Sequence, residues 1–264
     1  MWRDLPRRPG LTIVIPLHEA GPWVDVISDN IAMAPRRTRI VVSDRSHLDD
    51  ALPVLRTRHG GDRRIRFVEG RSEPGWREHI NELIAANSTR LFSILPQDDS
   101  IHTGYYESLV SALHDHPAAG LAFPRIRATR EGGDDFDFAS PPFELGERPP
   151  WEEAIALWRR WNLGVPWRGV VRRRYLRPML ATPGDMWADQ IWVFGIALEA
   201  HLVEVPEAVY LKRYHDANTH GDWTRLPADE VLRLQLLEID RRLDRRPNER
   251  AAALAALMSN TAGA

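Results

Sequence analysis

Cysteine is absent from the 264-residue sequence. This absence excludes a disulfide scaffold, thiol catalysis and every zinc site that uses cysteine ligands. No apolar run is long enough to span a bilayer, and residues 1–10 are charged and proline-rich rather than apolar like a signal peptide. We therefore expect a cytoplasmic protein, with peripheral attachment to a membrane surface left open.

An excess of positive charge is also missing. The formal net charge is −2, from 35 basic and 37 acidic residues that are interleaved along the chain. Because nucleic-acid-binding domains usually carry a basic surface, we expect no nucleic acid partner. The length predicts one large domain, or one domain with an appendage.

Short apolar segments alternate with amphipathic ones in the first half of the chain. The β-branched run 11–16 predicts a buried strand, and the apolar positions of residues 76–86 fall on one helical face. Further strands are predicted at 39–43, 64–68, 90–95 and 120–124, and further helices at 22–32 and 105–114. This alternation indicates an α/β fold with a mostly parallel central sheet flanked by helices.

Polar clusters follow three of the predicted strands. His18 and Glu19 follow the first strand, residues 43–46 the second, and Gln97-Asp98-Asp99 the fourth. Open α/β sheets bind ligands at the carboxyl ends of their strands, so we expect these clusters to converge on one site. Two adjacent carboxylates are costly to bury unpartnered, and a hard cation such as Mg²⁺ or Mn²⁺ is a natural partner. Taken alone, the pair is explained equally well by a turn or a helix N-cap.

Six motifs in order resemble the family-2 inverting glycosyltransferases of the GT-A fold, a resemblance that covers residues 11–220. The motifs are Val14-Ile-Pro16-Leu-His18-Glu19, Val42-Ser43-Asp44-Arg45-Ser46 with Asp49, Gly75 with Asn81, Gln97-Asp98-Asp99, Ala188-Asp189, and Lys212-Arg213-Tyr214-His215. The sequence departs from the family pattern at Glu19, Ser43, Arg45, Pro96 and Ala188. These departures affect donor identity and metal affinity.

The resemblance implies a role for each matched residue. The residues implied to form the nucleotide-sugar pocket are Pro16, His18, Glu19, Asp44, Gly75, Asn81 and Asp98. Asp99 is implied to bind Mn²⁺ or Mg²⁺ and His215 to add a ligand, although a surface histidine in a polar loop explains His215 as well.

Asp189 is the candidate general base. Inversion at an anomeric carbon needs a carboxylate that takes the acceptor proton while the hydroxyl attacks opposite the leaving group. Asp189 also suits the start of an apolar helix over residues 191–198, and Asp185 is the nearest competitor as a base. Trp187 is the candidate acceptor contact, since flat aromatic faces suit the apolar faces of sugars.

The predicted architecture is a GT-A-like, Rossmann-like α/β domain with a C-terminal helical tail. Residues 1–124 form the nucleotide-sugar-binding half, residues 125–225 the half that binds the acceptor and carries the base, and residues 226–264 the tail, which Pro247 divides into two helices. The predicted reaction transfers a sugar from a nucleotide-diphosphate sugar, UDP-linked by default, to a sugar, glycolipid or small-molecule hydroxyl.

Three other functions fit parts of the sequence. A sugar-phosphate nucleotidyltransferase also uses an α/β sheet and a metal, but residues 18–22 contain one glycine and no Lys or Arg. A non-catalytic nucleotide-sugar-binding protein and a retaining transferase share the fold.

The tail carries an apolar stripe of Leu232, Leu236, Ile239 and Leu243 at heptad-like spacing. Either the domain or a second copy must cover it. We expect a homodimer through these helices.

Overall fold

A computed structural model of the protein describes residues 10–46, 48–70, 75–130, 135–138, 148–161, 163–215 and 226–259. The nine strands within these ranges form one sheet in the order β3-β2-β1-β4-β8-β6-β9-β5, with β7 paired to β6. The strands are β1 (Leu11–Leu17), β2 (Thr38–Asp44), β3 (Ile65–Glu69), β4 (Leu91–Ile94), β5 (Ser100–Ile101), β6 (Ala119–Arg130), β7 (Phe136–Asp137), β8 (Val170–Arg172) and β9 (His201–Tyr214). The helices are α1 (Val24–Met33), α2 (Ala51–His59), α3 (Trp76–Ala86), α4 (Tyr105–Asp115), α5 (Pro150–Arg160), α6 (Ala188–Glu199), α7 (Ala228–Arg242) and α8 (Pro247–Ser259).

The amino-terminal part of the sheet is parallel, as helical crossovers between strands require. β1 lies between β2 and β4, with Leu11 in register with Thr38 and with Leu91. At the other end of β1, Leu17 is in register with Asp44. The carboxyl ends of these strands therefore lie at one edge of the sheet, and the prediction that their polar clusters converge is confirmed.

The second part of the sheet is built on the long parallel pair β6 and β9. β8 runs antiparallel between β4 and β6 and joins this pair to the first part. The sequence predicts that β6 ends at Pro124, but the strand continues to Arg130 with Ile126 and Ala128 still buried. β9 was not predicted at all. Its register with β6 shifts beside Pro124, near Pro206 of β9, and such a bulge breaks the alternation on which sequence prediction depends.

The C-terminal tail folds back onto the domain. Pro247 is the first residue of α8, so the predicted break between two helices is confirmed. Ile239 and Leu243 are completely buried in the main core, and Leu232 and Leu236 pack against it. The stripe is thus covered by its own chain, which removes the reason for placing a second copy there. Among the described residues, no helix is both long and apolar enough to cross a membrane.

Candidate functional site

Gln97 ties the ends of β1 and β4 together. The backbone N–H of His18 donates to Oε1 of Gln97 at 2.8 Å, and Nε2 of Gln97 donates to the carbonyl of His18 at 2.5 Å. These two bonds hold the loop after β1 next to Asp98. The predicted residues Pro16, His18 and Glu19 therefore lie beside the acidic pair, at the predicted edge of the sheet.

Three residues outside glycine adopt a positive φ within the described ranges, namely Glu19, Asp185 and Trp187, with φ of 48°, 57° and 61°. A left-handed conformation is uncommon for such residues and is strained for a bulky side chain like that of Trp187. Strain of this kind tends to cluster at functional sites. All three residues were singled out by the sequence, Glu19 directly after β1 and the other two directly before α6.

Asp44 is turned inward at the end of β2. Its side chain is buried, and Oδ1 accepts hydrogen bonds of 2.9 Å from the backbone N–H and the hydroxyl of Ser46. The preceding residue, Ser43, contacts Nε2 of His79 through its hydroxyl at 2.8 Å. Burial, followed by the charge of Arg45, lowers the pKa of His79 to about 4. A neutral imidazole therefore lies next to the end of β2. The role of Asp44 in binding a base or ribose stays a prediction.

Asp99 is enclosed by partners from two other parts of the chain. Its side chain is buried, and its carboxylate accepts the Tyr210 hydroxyl at 2.7 Å and the backbone N–H of Arg213 at 2.9 Å. Nε of Arg168 lies 3.7 Å from Oδ2. Both oxygens are therefore engaged within the protein, and metal binding by Asp99 stays a prediction. These hydrogen bonds connect β9 to the loop after β4.

Asp98 is the partly exposed acid of the adjacent pair. Its Oδ2 lies 3.1 Å from Nε2 of His215, and 21% of the Asp98 side chain is exposed. The imidazole of His215 packs on the indole of Trp23 with ring centroids 4.6 Å apart. Asp98 and His215 are therefore direct neighbours, and metal binding by His215 stays a prediction. The described residues contain no group of three or more acidic or histidine side chains arranged around a cation.

Asp189 lies in the first turn of α6, with 9% of its surface exposed. Its Oδ1 accepts the backbone N–H of Gln190 at 2.8 Å. Burial raises the pKa of Asp189, and the nearby charge of Arg168 opposes this rise. A buried carboxylate with a raised pKa is a candidate proton acceptor. The predicted helix over 191–198 is confirmed and begins three residues earlier.

Trp187 immediately precedes α6, and its backbone carbonyl accepts the N–H of Ile191 at 3.0 Å. Its indole lies 6.2 Å from that of Trp158 and is partly buried. The ring thus packs in the helical layer behind Asp189, and an acceptor contact for it stays a prediction.

Asp185, the competing base, already has a strong partner. Nε of Arg77 donates to Asp185 Oδ1 at 2.7 Å, and the two side chains are mostly buried. A Cβ atom at Gly75 would lie 2.8 Å from Asp185 Oδ2 and from Glu78 Oε2, so these two carboxylates lie close to the start of α3. The start of α3 thus approaches the turn before α6.

Asn81 is hydrogen-bonded to the backbone of Met179 through both ends of its amide. Its Nδ2 donates to the carbonyl of Met179 at 3.1 Å, and its Oδ1 accepts the N–H of Met179 at 2.6 Å. Both ends of the amide are therefore used to hold the segment that leads to Asp185. The side chain thus positions a loop, and the implied nucleotide contact of Asn81 stays a prediction.

We expect Asn81→Leu to lower the free energy of unfolding by about 1–3 kcal/mol, because two backbone groups of Met179 lose their partners. Binding of UDP, measured by thermal shift, should be affected no more than by the exposed control Glu82→Gln. Urea unfolding gives the stability. A loss of UDP binding with unchanged stability would instead support the implied nucleotide contact of Asn81.

Two functional candidates were missed by sequence reasoning. Arg168 is the last residue of the 3₁₀ turn that begins at Pro166, with 7% of its surface exposed. It interacts electrostatically with both Asp99 and Asp189. Lys212 is buried beside the same acids, and burial followed by the charge of Arg168 lowers the pKa of Lys212 to about 8. A usable signal existed for the second residue, since Lys212 is the single lysine in the sequence. Arg168 gave none.

The fold is similar to that of solved structures of TarS from S. aureus. TarS 1-349 in complex with UDP-GlcNAc matches with a TM-score of 0.66 and 14% identity, covering 87% of this chain and 66% of that chain. The complex with UDP matches with a TM-score of 0.64 and 14% identity over 87% and 65% of the two chains. A longer TarS structure gives 0.63 and 12% identity over 94% and 42%.

The chain thus spans just under two thirds, or less, of the solved chains it matches. Comparison with protein-family profiles and with curated proteins gives no match. At this level of identity the likeness concerns the fold, and the predicted GT-A-like α/β fold is confirmed.

Proposed function

We propose that this protein is a family-2-like glycosyltransferase that moves a sugar from a nucleotide-diphosphate sugar, UDP-linked by default, to an acceptor hydroxyl with inversion. The observation that carries the proposal is the buried carboxylate of Asp189, linked electrostatically through Arg168 to Asp99, which adjoins the Asp98–His215 pair. The fold supports it, since the TarS structures of similar fold hold UDP and UDP-GlcNAc.

In this proposal Asp189 takes the proton of the acceptor hydroxyl. The hydroxyl oxygen forms a bond to the anomeric carbon as the bond from that carbon to the diphosphate oxygen breaks. The electron pair leaves with the diphosphate, and attack from the opposite side inverts the configuration. Burial of Asp189 suits it for this step because a base with a raised pKa holds the proton more strongly.

Asp98 and His215 fit a divalent cation that is completed by the substrate. Mg²⁺ is usually held by one or two carboxylates together with substrate phosphates and water, so a protein site with few ligands is suitable. The partial exposure of Asp98 leaves it open to a bound diphosphate. When bound, Mn²⁺ or Mg²⁺ would neutralise charge that develops on the leaving diphosphate.

A thermal-shift experiment tests donor binding. UDP at about a hundred times its dissociation constant should stabilise the protein by roughly 2.7 kcal/mol, or about 5–10 °C for a domain of this size. The shift should be larger with Mn²⁺ than with EDTA. No shift with UDP or UDP-sugars in either condition would contradict the proposed function.

We expect Asp98→Asn to remove the Mn²⁺-dependent part of the UDP shift. The amide keeps the shape of the side chain but loses the charge that attracts a cation. Asp50→Asn, which changes an exposed acid elsewhere, is the matched control. An unchanged Mn²⁺ effect in Asp98→Asn would contradict the metal assignment while leaving donor binding intact.

A further inference from the structure

Four side chains share one face of the sheet where β6, β7 and β9 end. Ala128 of β6 is in register with Phe136 on one side and with Lys212 on the other, and Arg130 is in register with Tyr214. Directly paired residues, and residues two apart on a strand, project from the same face. We call Arg130, Phe136, Lys212 and Tyr214 the β6–β9 platform.

The platform combines aromatic rings with cations. The rings of Phe136 and Tyr214 stack with centroids 6.0 Å apart and an interplanar angle of 22°. Cζ of Arg130 lies 5.8 Å from the Phe136 centroid and 5.9 Å from the Tyr214 centroid, and Nζ of Lys212 lies 4.7 Å from the Tyr214 ring. Arg130 and Phe136 are exposed, the latter by 37%, so this end of the platform is open to a ligand.

The other end of the platform reaches the transfer site. Lys212 interacts electrostatically with Asp99 and Asp189, and Tyr214 immediately precedes His215. The platform therefore extends from the exposed Arg130 and Phe136 to the buried Lys212, which interacts with the candidate base. Trp187, in contrast, packs against Trp158 in the helical layer.

The platform presents positive charge to the solvent. The nearest acid on β7, Asp137, alternates to the opposite face and pairs there with Arg125 and Arg127. Arg130 contacts the two platform rings through its guanidinium, which keeps its charge at the open end. An exposed ring beside an exposed guanidinium suits a sugar that stacks through its apolar face and carries an anion at its rim.

We propose that the β6–β9 platform is the acceptor subsite and that it selects a sugar ring bearing a carboxylate or a phosphate. The inference rests on the proposed glycosyltransferase function, because it is that function which requires an acceptor near Asp189. The sugar ring stacks on Phe136, the anion pairs with Arg130, and the reacting hydroxyl points along Tyr214 and Lys212 toward Asp189.

Ligand-observed NMR titrations of the UDP-saturated full chain test this assignment with three probes. Methyl β-glucuronide and glucose 6-phosphate should bind roughly tenfold more tightly than neutral methyl β-glucoside, and their comparison separates carboxylate from phosphate selection. Phe136→Ala should weaken all three probes by roughly tenfold, and Phe136→Tyr should retain binding. Arg130→Gln should reduce the two anionic probes to the affinity of the neutral one.

Leu48→Ala, at an apolar position that is 50% exposed elsewhere on the surface, is the matched control. Equal binding of neutral and anionic probes, wild-type binding by Phe136→Ala, or no binding of any probe would overturn the acceptor subsite. The UDP thermal shift of each sample is recorded in parallel. A missing shift in the wild type counts against the proposed function, whereas a normal shift without probe binding counts only against the platform.

Discussion

Asp189→Asn should reduce the turnover number by about a hundred- to ten-thousand-fold, the usual effect of losing a general base. The amide keeps the size of the side chain and accepts the Gln190 N–H, but it cannot take a proton from the acceptor. Because the base acts in the transition state, the Michaelis constant for the donor should hardly change. Steady-state kinetics of UDP release with a sugar acceptor measure both constants.

The same substitution should increase stability at neutral pH. Burial raises the pKa of Asp189 in the folded state, so its contribution to stability is full below the unfolded pKa and is lost as the pH rises through the folded pKa. Asparagine carries no charge to bury. The advantage of Asp189→Asn in melting temperature should therefore be present at pH 7 and shrink toward acid pH.

Asp185→Asn is the matched control for catalysis, since Asp185 lies near Asp189 but pairs with Arg77. Near-normal turnover in Asp189→Asn together with a large loss in Asp185→Asn would transfer the base to Asp185. Product from the wild type should have the anomeric configuration opposite to that of the donor. Retention would contradict inversion regardless of which acid is the base.

The carboxyl-edge part of the site was predictable because it depends on local patterns. Polar residues directly follow apolar strand segments there, so His18, Asp44 and Asp98 could be placed at the carboxyl edge from the sequence alone. The orientation of neighbouring side chains could not. Asp98 and Asp99 are adjacent in sequence, and only the packing of β9 decides that Asp99 turns inward to Tyr210 while Asp98 turns toward His215.

The half that carries the base was harder to predict because its contacts are long-range. β8 has three residues and the irregular β9 has fourteen, so neither shows a clear alternation. The pairing of both strands with β6 nevertheless brings Arg168, just before β8, and Lys212 of β9 to the acids. Gly169 is a long-range requirement of the same kind, since a Cβ atom at this position would overlap the backbone of Ala122 in β6. Such a requirement becomes visible only when the strands are paired.

Arg168→Met should lower the free energy of unfolding at pH 7 by about 3–5 kcal/mol, the usual cost of leaving a buried charge without its partner. Nη1 of Arg168 donates to the carbonyl of Gly164 at 2.9 Å, and its guanidinium faces Asp99 and interacts with Asp189. Methionine fills similar space without compensating either carboxylate. Urea unfolding measures the loss, and Arg168→Lys, which restores the charge, should recover part of it.

The pH dependence of Arg168→Met separates an electrostatic role from simple packing. Burial raises the pKa of Asp99 and of Asp189, and Arg168 opposes both shifts, so its removal should raise both values further. The destabilisation should therefore diminish as the pH falls and the two acids take up protons. The acid limb of kcat/KM, which we assign to Asp189, should move to higher pH, whereas a packing defect would lower activity without moving it.

In the double variant Arg168→Met/Asp99→Asn the stability loss should be smaller than the sum of the single losses, because the cation no longer has that charge to compensate. Equal losses at pH 5 and pH 7, with an unmoved acid limb, would show that Arg168 contributes volume and hydrogen bonds but not charge.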